Sequence, residues 1–271
     1  MRFRAILLNL GVGLIALAVL FPLLWMVAVS LMATGEAATF PPPLWSAKPT
    51  LDHYRDLFAN QGMGRYLWNS VALATLATGL ALLFTVPAGY AFAKLRFAGR
   101  ERIFQLLVAA LVVPAQIGTL PLFLMLKGMG LVNTYAGALV PWLASIFGLF
   151  LVRQYALSIP DEMLEAARVD GAGEFQIFRR IVLPTLQPII VTLALFVFLG
   201  SWNDFLWPLI ILTDQSNYTL PVALAALSRE HVQDAEMMMA GAVITVAPVL
   251  ALFLALQRYY IRGMLAGSVK G

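Results

Sequence analysis

The sequence has no cysteine and only two histidines, and just 12% of its 271 residues are charged. Without cysteine there is no disulfide framework, no thiolate metal site and no cysteine nucleophile. His53 and His231 lie far apart in the chain and are expected as surface residues of loops, with no metal to bind. No Gly-Lys pair occurs, so there is no Walker A loop and no cofactor site is expected in this chain. Gly11-Val-Gly13-Leu-Ile-Ala16 matches a loose dinucleotide fingerprint, but no strand precedes it and the match is accidental. A soluble domain carries about 25% charged and about 45–50% apolar residues. Here 61% are hydrophobic, too many for a water-covered fold. A cytosolic enzyme, a disordered chain and a secreted mini-protein are excluded on that ground.

What is there instead is a series of long runs without charge. Residues 5–35, 66–93, 103–126, 128–152, 181–203 and 237–257 contain no Asp, Glu, Lys or Arg. Each is long enough for a helix to cross about 30 Å of hydrocarbon. A spanning helix also satisfies its own backbone polar groups. The expected fold is therefore all-α and integral to the membrane, a single domain over 1–271. Its six transmembrane helices fall near 6–31, 68–92, 103–125, 136–154, 188–207 and 237–257. The first run is about twice the length of a signal-peptide core, so it reads as a retained span.

Thirteen of the eighteen Lys and Arg residues fall in one set of loops and five in the other. The positive-inside rule then places both termini in the cytoplasm. The net charge of +4 is a topology signal, and no nucleic-acid partner is needed to explain it.

Between the first two spans, Phe40-Pro41-Pro42-Pro43 forms a stiff extended run. Thr50 then caps a short helix with Leu51, Tyr54, Leu57 and Phe58 on one face. Its surroundings are either the membrane surface or an external partner. Pro87, Pro114, Pro121 and Pro248 lie within spans, where ordinary packing and kinks beside a path are both open readings.

The longest inner loop, 158–184, is the chemically distinctive stretch. Ser158 and Asp161 make a cap-like start with Pro160 in the first turn. Residues 161–170 favour helix, and Gly171 suits the left-handed residue that ends one. A second helical stretch runs from Glu174 to Val182 before Pro184. Two short helices meeting at a glycine make a docking element on the cytoplasmic face. One acid, Asp204, sits near the outer end of the fifth span beside Trp202 and Asn203. An intramembrane acid is a functional candidate, here for a translocation path, although an interfacial Asp beside a Trp anchor remains open.

Glu165-Ala166-Ala167, Gly171, Ile181 and Leu183-Pro184, with Asp170 beside the glycine, resemble the signature loop of binding-protein-dependent ABC importer permeases. Trp202-Asn203-Asp204, Asn69-Ser70 and the ending Gly267-Ser268-Val269-Lys270-Gly271 are similar to the carbohydrate-uptake branch, in the subunit type of the smaller maltose-importer permease. Ser268 departs from the alanine common there. The resemblance implies the type I ABC importer permease fold in a prokaryotic plasma (inner) membrane. It implies a chain that is not an enzyme. Its partners would be a second, non-identical permease, two cytoplasmic ATPase subunits that bind ATP and Mg, an extracytoplasmic sugar-binding protein and membrane lipid. The loop would couple to the ATPase through Glu165, Ala166, Ala167, Asp170, Gly171, Ile181, Leu183 and Pro184. The tail, 258–271, would reach the ATPases through Gly267, Ser268, Val269 and Lys270. The substrate implied is a di- or oligosaccharide. A permease for glycerol phosphate or a polyamine, or a self-sufficient secondary transporter, stays as an alternative.

Overall fold

In a computed structural model that describes residues 2–230 and 234–268, with side chains over 8–229 and 234–255, no strand occurs among the described residues. The helices are α1 Arg2–Ser30, α2 Asp52–Ala59, α3 Met63–Lys94, α4 Arg100–Ala110, α5 Thr119–Gly128, α6 Tyr135–Leu139 and α7 Ile146–Leu157. They continue as α8 Asp161–Val169, α9 Glu174–Ile177, α10 Leu183–Thr185, α11 Gln187–Trp202, α12 Leu206–Ile211, α13 Leu220–Glu230 and α14 Ala235–Ser268. His231, Val269 and Lys270 lie outside the described residues.

Three helical stretches, Leu8–Ser30, Met63–Lys94 and Ala235–Ala255, are long and apolar enough to cross a membrane. Three further stretches pass the same test only as bent pairs. These are Arg100–Ala110 with Ala115–Gly128, Tyr135–Trp142 with Ile146–Leu157, and Glu174–Thr185 with Gln187–Trp202, bent by 94°, 44° and 76°. The run at 103–126 is thus broken rather than straight. Pro114, at the break, has no amide hydrogen to continue the ladder, and a short 3-10 turn, Ala115–Gly118, leads into α5. Pro87 and Pro248, by contrast, sit inside continuous helices.

The chain divides into two compact units, one of residues 1–67 and 220–252 and one of 68–219 and 253–271. In the first unit the connection after α1 is tied down by polar contacts. Thr50 N–H donates to Leu31 O at 2.8 Å, and the Ser30 and Tyr54 hydroxyls are 2.8 Å apart. The carboxylate of Glu236, buried at the start of α14, accepts from Ala37 N at 2.8 Å. His53 is buried, not at the surface as its loop position suggests. Its Nε2 donates to Met32 O at 3.0 Å, and Nδ1 lies 4.0 Å from Asp234 Oδ1. Thr50 does not cap α2 in the expected way. Its hydroxyl oxygen accepts from Asp52 N at 3.1 Å, while Leu51 stands at the cap position. Of the expected apolar face only Leu57 is buried.

The second unit has two apolar cores. One joins Tyr90 and Ala93 of α3, Val152 and Ala156 of α7, Leu164 of α8, Ile177 of α9 and Leu193 and Val197 of α11. The other gathers Leu73 of α3, Leu126 of α5, Ala138 of α6 and Trp207 and Ile211 of α12. Around it Asn69 is buried, donating to Ser216 O and Tyr218 O at 2.9 Å and accepting from the Tyr135 hydroxyl.

Candidate functional site

The loop of 158–184 is a folded element seated on the first of these cores. The beginning of α8 is fixed by Lys94, the last residue of α3. Its ammonium donates to Ile159 O and Asp161 Oδ1, both at 2.6 Å, and reaches Leu157 O at 3.5 Å. The Lys94 side chain is only 6% exposed, whereas its Asp161 partner is 73% exposed, so the ammonium is shielded and the carboxylate is not. Hydrogen bonding to Lys94 holds the Asp161 carboxyl below its ordinary range. Ser158 does not cap α8: its hydroxyl donates back to Tyr155 O and closes α7. Pro160 takes the cap position, one residue earlier than a first-turn proline.

The end of α8 is a complete Schellman motif. Ala172 N–H donates to Ala167 O at 2.9 Å and Gly171 N–H to Arg168 O at 3.0 Å. The motif requires the left-handed conformation at Gly171, whose φ is +84°. A β-carbon there would meet nothing within 4 Å, so the demand for glycine comes from the backbone and not from crowding. Arg168 then closes the corner by donating from Nε to Glu174 Oε1 at 2.7 Å. That hydrogen bond, the largest influence, holds the Glu174 carboxyl below its ordinary value, and the Tyr90 hydroxyl adds a second donor to Oε2 at 3.1 Å.

Leu164 is the anchor of α8, fully buried among Ala156, Ile159, Ile177 and Val182. The opposite surface stays open. Glu165, Ala166 and Asp170 are exposed, and so are three large apolar side chains, Met163, Val169 and Phe175. Val169 is 88% exposed and Phe175 76%, values that soluble packing does not explain. Ala167 is half-buried and faces the core.

After α9 the ladder changes pitch. Phe178–Val182 is a π-helical turn in which Leu183 N–H donates to Phe178 O, five residues back. Ile181 and Leu183 are half-buried against the core and Pro184 is exposed. Pro184 and Pro188 each lack a donor, and the 76° bend before α11 falls between them. The second helix of the loop is therefore interrupted where the sequence suggested one regular stretch.

The three residues at the end of α11 separate. Trp202 is fully buried with its ring on Phe198, centroids 5.8 Å apart. Asn203 is exposed and caps α11, its Nδ2 donating to Leu199 O at 2.9 Å. Asp204 stands two residues before α12 and accepts from Trp207 N at 3.3 Å. It also borders a cleft of about 560 Å³ whose walls include Gln116, Thr119, Trp142, Gly200 and Trp207. The sequence singled out Asp204 but none of these neighbours, which come from runs that read as plain spans. Gly267 and Ser268 belong to α14, which continues as helix to Ser268. Among the described residues no group of three or more His, Asp or Glu side chains converges to hold a metal.

A helical chain with several stretches long and apolar enough to cross a membrane, some of them broken, is built as an integral membrane protein. The chain belongs to the family described as binding-protein-dependent transport system inner membrane component, whose pattern matches residues 85–266. It is 38% identical to the arabinooligosaccharides transport system permease protein AraQ of Halalkalibacterium halodurans, over 98% of this chain and 96% of that one. It is 34% identical to the lactose transport system permease protein LacG of Rhizobium radiobacter, over 93% and 91%. The fold matches a chain of a bacterial ABC transporter that imports the acidic polysaccharide alginate. That match has a TM-score of 0.85 at 22% identity and covers 96% of this chain and 97% of the other.

Proposed function

We propose that this chain is the permease subunit of an ATP-driven importer for di- or oligosaccharides in a prokaryotic inner membrane. The bent pairs at 100–128 and 135–157 each count as one span and α11 as another, with Glu174–Thr185 left on the cytoplasmic side, giving six with both termini in the cytoplasm, in keeping with the distribution of Lys and Arg. The chain forms half of the path, and a second, non-identical permease forms the rest. ATP and Mg bind to two cytoplasmic ATPase subunits, and an extracytoplasmic binding protein delivers the sugar. The saccharide class is supported by the names of the relatives that match nearly the whole chain.

One observation carries the coupling role: α8 buries Leu164 while leaving Met163, Glu165, Ala166 and Val169 open. A helix anchored on one side and bare on the other is built to be covered. Glu165 and Asp170 offer carboxylates to basic groups of the ATPase, and Ala166 permits close approach. Ile181, Leu183 and Pro184 seat the element from behind, and Gly267 to Lys270 add a tail contact. The test is co-expression with the cytoplasmic ATPase of the same importer. Substituting Met163 and Val169 with Asp should abolish both ATPase co-purification and saccharide uptake by inside-out-controlled vesicles, with membrane insertion unchanged. Retained co-purification and normal uptake would refute the docking role.

A further inference from the structure

The turn between α3 and α4 carries three arginines, Arg96, Arg100 and Arg102. They border an open concavity of about 460 Å³ that Phe97, Gly99 and Glu101 also line. The turn is held by its own contacts. Gly99 takes the left-handed conformation at φ +79°, and Arg100 donates from Nη1 to Leu95 O at 2.9 Å. Phe97 packs edge-on against Phe92 of α3, with centroids 5.4 Å apart. Glu101, the carboxylate of the lining, is met by Arg153 Nη2 at 3.1 Å. Its charge is thus answered from α7 and does not cancel the three arginines. Arg96 attracts Asp161 at longer range, but Lys94 already binds that carboxylate at 2.6 Å. Arg96 and Arg102 are exposed, and neither makes a hydrogen bond or close ion pair among the described residues. An apolar stripe begins where the arginines end. Ile103, Leu106, Ala110 and Val113 recur at helical spacing along α4 and just past it, and all four are exposed. The helix that carries them is the first half of a bent apolar pair long enough to cross a membrane.

We propose that this turn binds an anionic phospholipid, its phosphodiester in the basic concavity and an acyl chain along the α4 stripe. Guanidinium groups present planar forks of donors that match phosphate oxygens. Basic pockets at the membrane surface take up anionic headgroups by the same chemistry. A zwitterionic choline headgroup would bring its own cation against three uncancelled arginines. A free phosphate would use the concavity and leave the stripe bare. An acidic protein surface in water would meet the arginines but would not cover Leu106 and Val113, which lie further along the span. Charge at one end and an exposed apolar track leading from it fit a phospholipid in both parts. The site depends on the membrane placement of α4 and not on which solute the importer carries.

The test uses the complete importer in phosphatidylcholine nanodiscs that hold rising fractions of phosphatidylglycerol with a photoreactive acyl chain. Irradiation should place adducts on residues 103–113, and labelling should saturate with the phosphatidylglycerol fraction. Arg96→Gln and Arg102→Gln should each raise the half-saturating fraction about 5-fold, and the two together about 30-fold. Lysine at both positions should keep most of the binding. Arg65→Gln removes the same charge from the other set of loops and should change nothing. The same photoreactive chain on phosphatidylcholine should label 103–113 about 5-fold less or weaker still. That comparison needs only wild type, so it decides even where a variant fails to assemble. Equal labelling by the two lipids, or adducts absent from 103–113, overturns the site. Displacement of the label by inorganic phosphate alone assigns the concavity to a free anion and overturns the lipid. Loss of ATPase co-purification in the Gln variants, with labelling unchanged, assigns the arginines to the ATPase and overturns it as well.

Discussion

The cytoplasmic loop and the cleft beside Asp204 are built by opposite means. The loop is drawn from about 30 consecutive residues and closes on itself through the Gly171 corner and the Arg168–Glu174 pair. The cleft is drawn from three separate stretches, around 116, 142 and 204, and has no local hydrogen-bond framework of its own beyond the Asp204 cap. On the proposed docking role, the loop is a prefabricated surface: its corner hydrogen bonds are made within the loop, while Val169, Phe175, Glu165 and Asp170 stay exposed. The cleft depends instead on packing between distant segments, such as Trp142 against Gly200. The difference predicts that damage to the loop is all-or-none and damage to the cleft is graded.

The largest effect is expected at Gly171. A β-branched residue forced to positive φ is a severe backbone outlier, so Gly171→Val should break the Schellman corner and abolish uptake and ATPase co-purification together. Gly171→Asn, which tolerates this conformation, should retain both; equal loss in the two variants would show that bulk at the interface matters and backbone geometry does not. Leu164→Ala removes the anchor and should cost about 2–5 kcal/mol of stability in a thermal unfolding assay. An unchanged midpoint would mean that the loop is held by its polar contacts alone. In the cleft, Gly200→Ala should displace Trp142 and lower saccharide uptake by about 10-fold or less, with the ATPase still bound. Loss of ATPase binding there would erase the contrast between the two regions.

The smallest effect is that of pH. The Glu174 carboxyl is held below its ordinary value by Arg168, so the pair stabilises the loop at every pH above the ordinary value of 4.5. The contribution disappears as pH falls through the lowered folded value, and for so exposed a pair it is at most about 1 kcal/mol. ATPase co-purification should therefore be flat between pH 8 and pH 5.5 on this account, weakening only in acid below the ordinary carboxylate range. A change near neutrality would point to some other group.

Legibility followed the same division. Gly171 as a helix stop, the two-helix loop and its bordering proline were readable because cause and effect lie within a few residues. Ser158 was misread locally, since its hydroxyl had a nearer acceptor in Tyr155 O than any amide of α8. His53 looked like a loop residue, yet it is buried through partners 21 and 181 positions away. The break near Pro114 was visible only as a proline in an apolar run. Whether such a proline kinks or parts a helix depends on neighbours that no local pattern records. Gln116 and Trp142 gave no signal, because a single amide or indole in a span is unremarkable until the opposite wall of the cleft is known.

Lys94 has a consequence for how movement passes through the chain. An ammonium carries three N–H bonds, and here they address the last turn of α7, the turn after it and the first residue of α8. Three elements that hydrated side chains would let slip past one another are pinned at a single shielded atom. The start of α8 and the end of α3 are thus joined by direct hydrogen bonds through one ammonium. Arginine would not serve in the same place, because its planar fork cannot aim donors in three directions from one point.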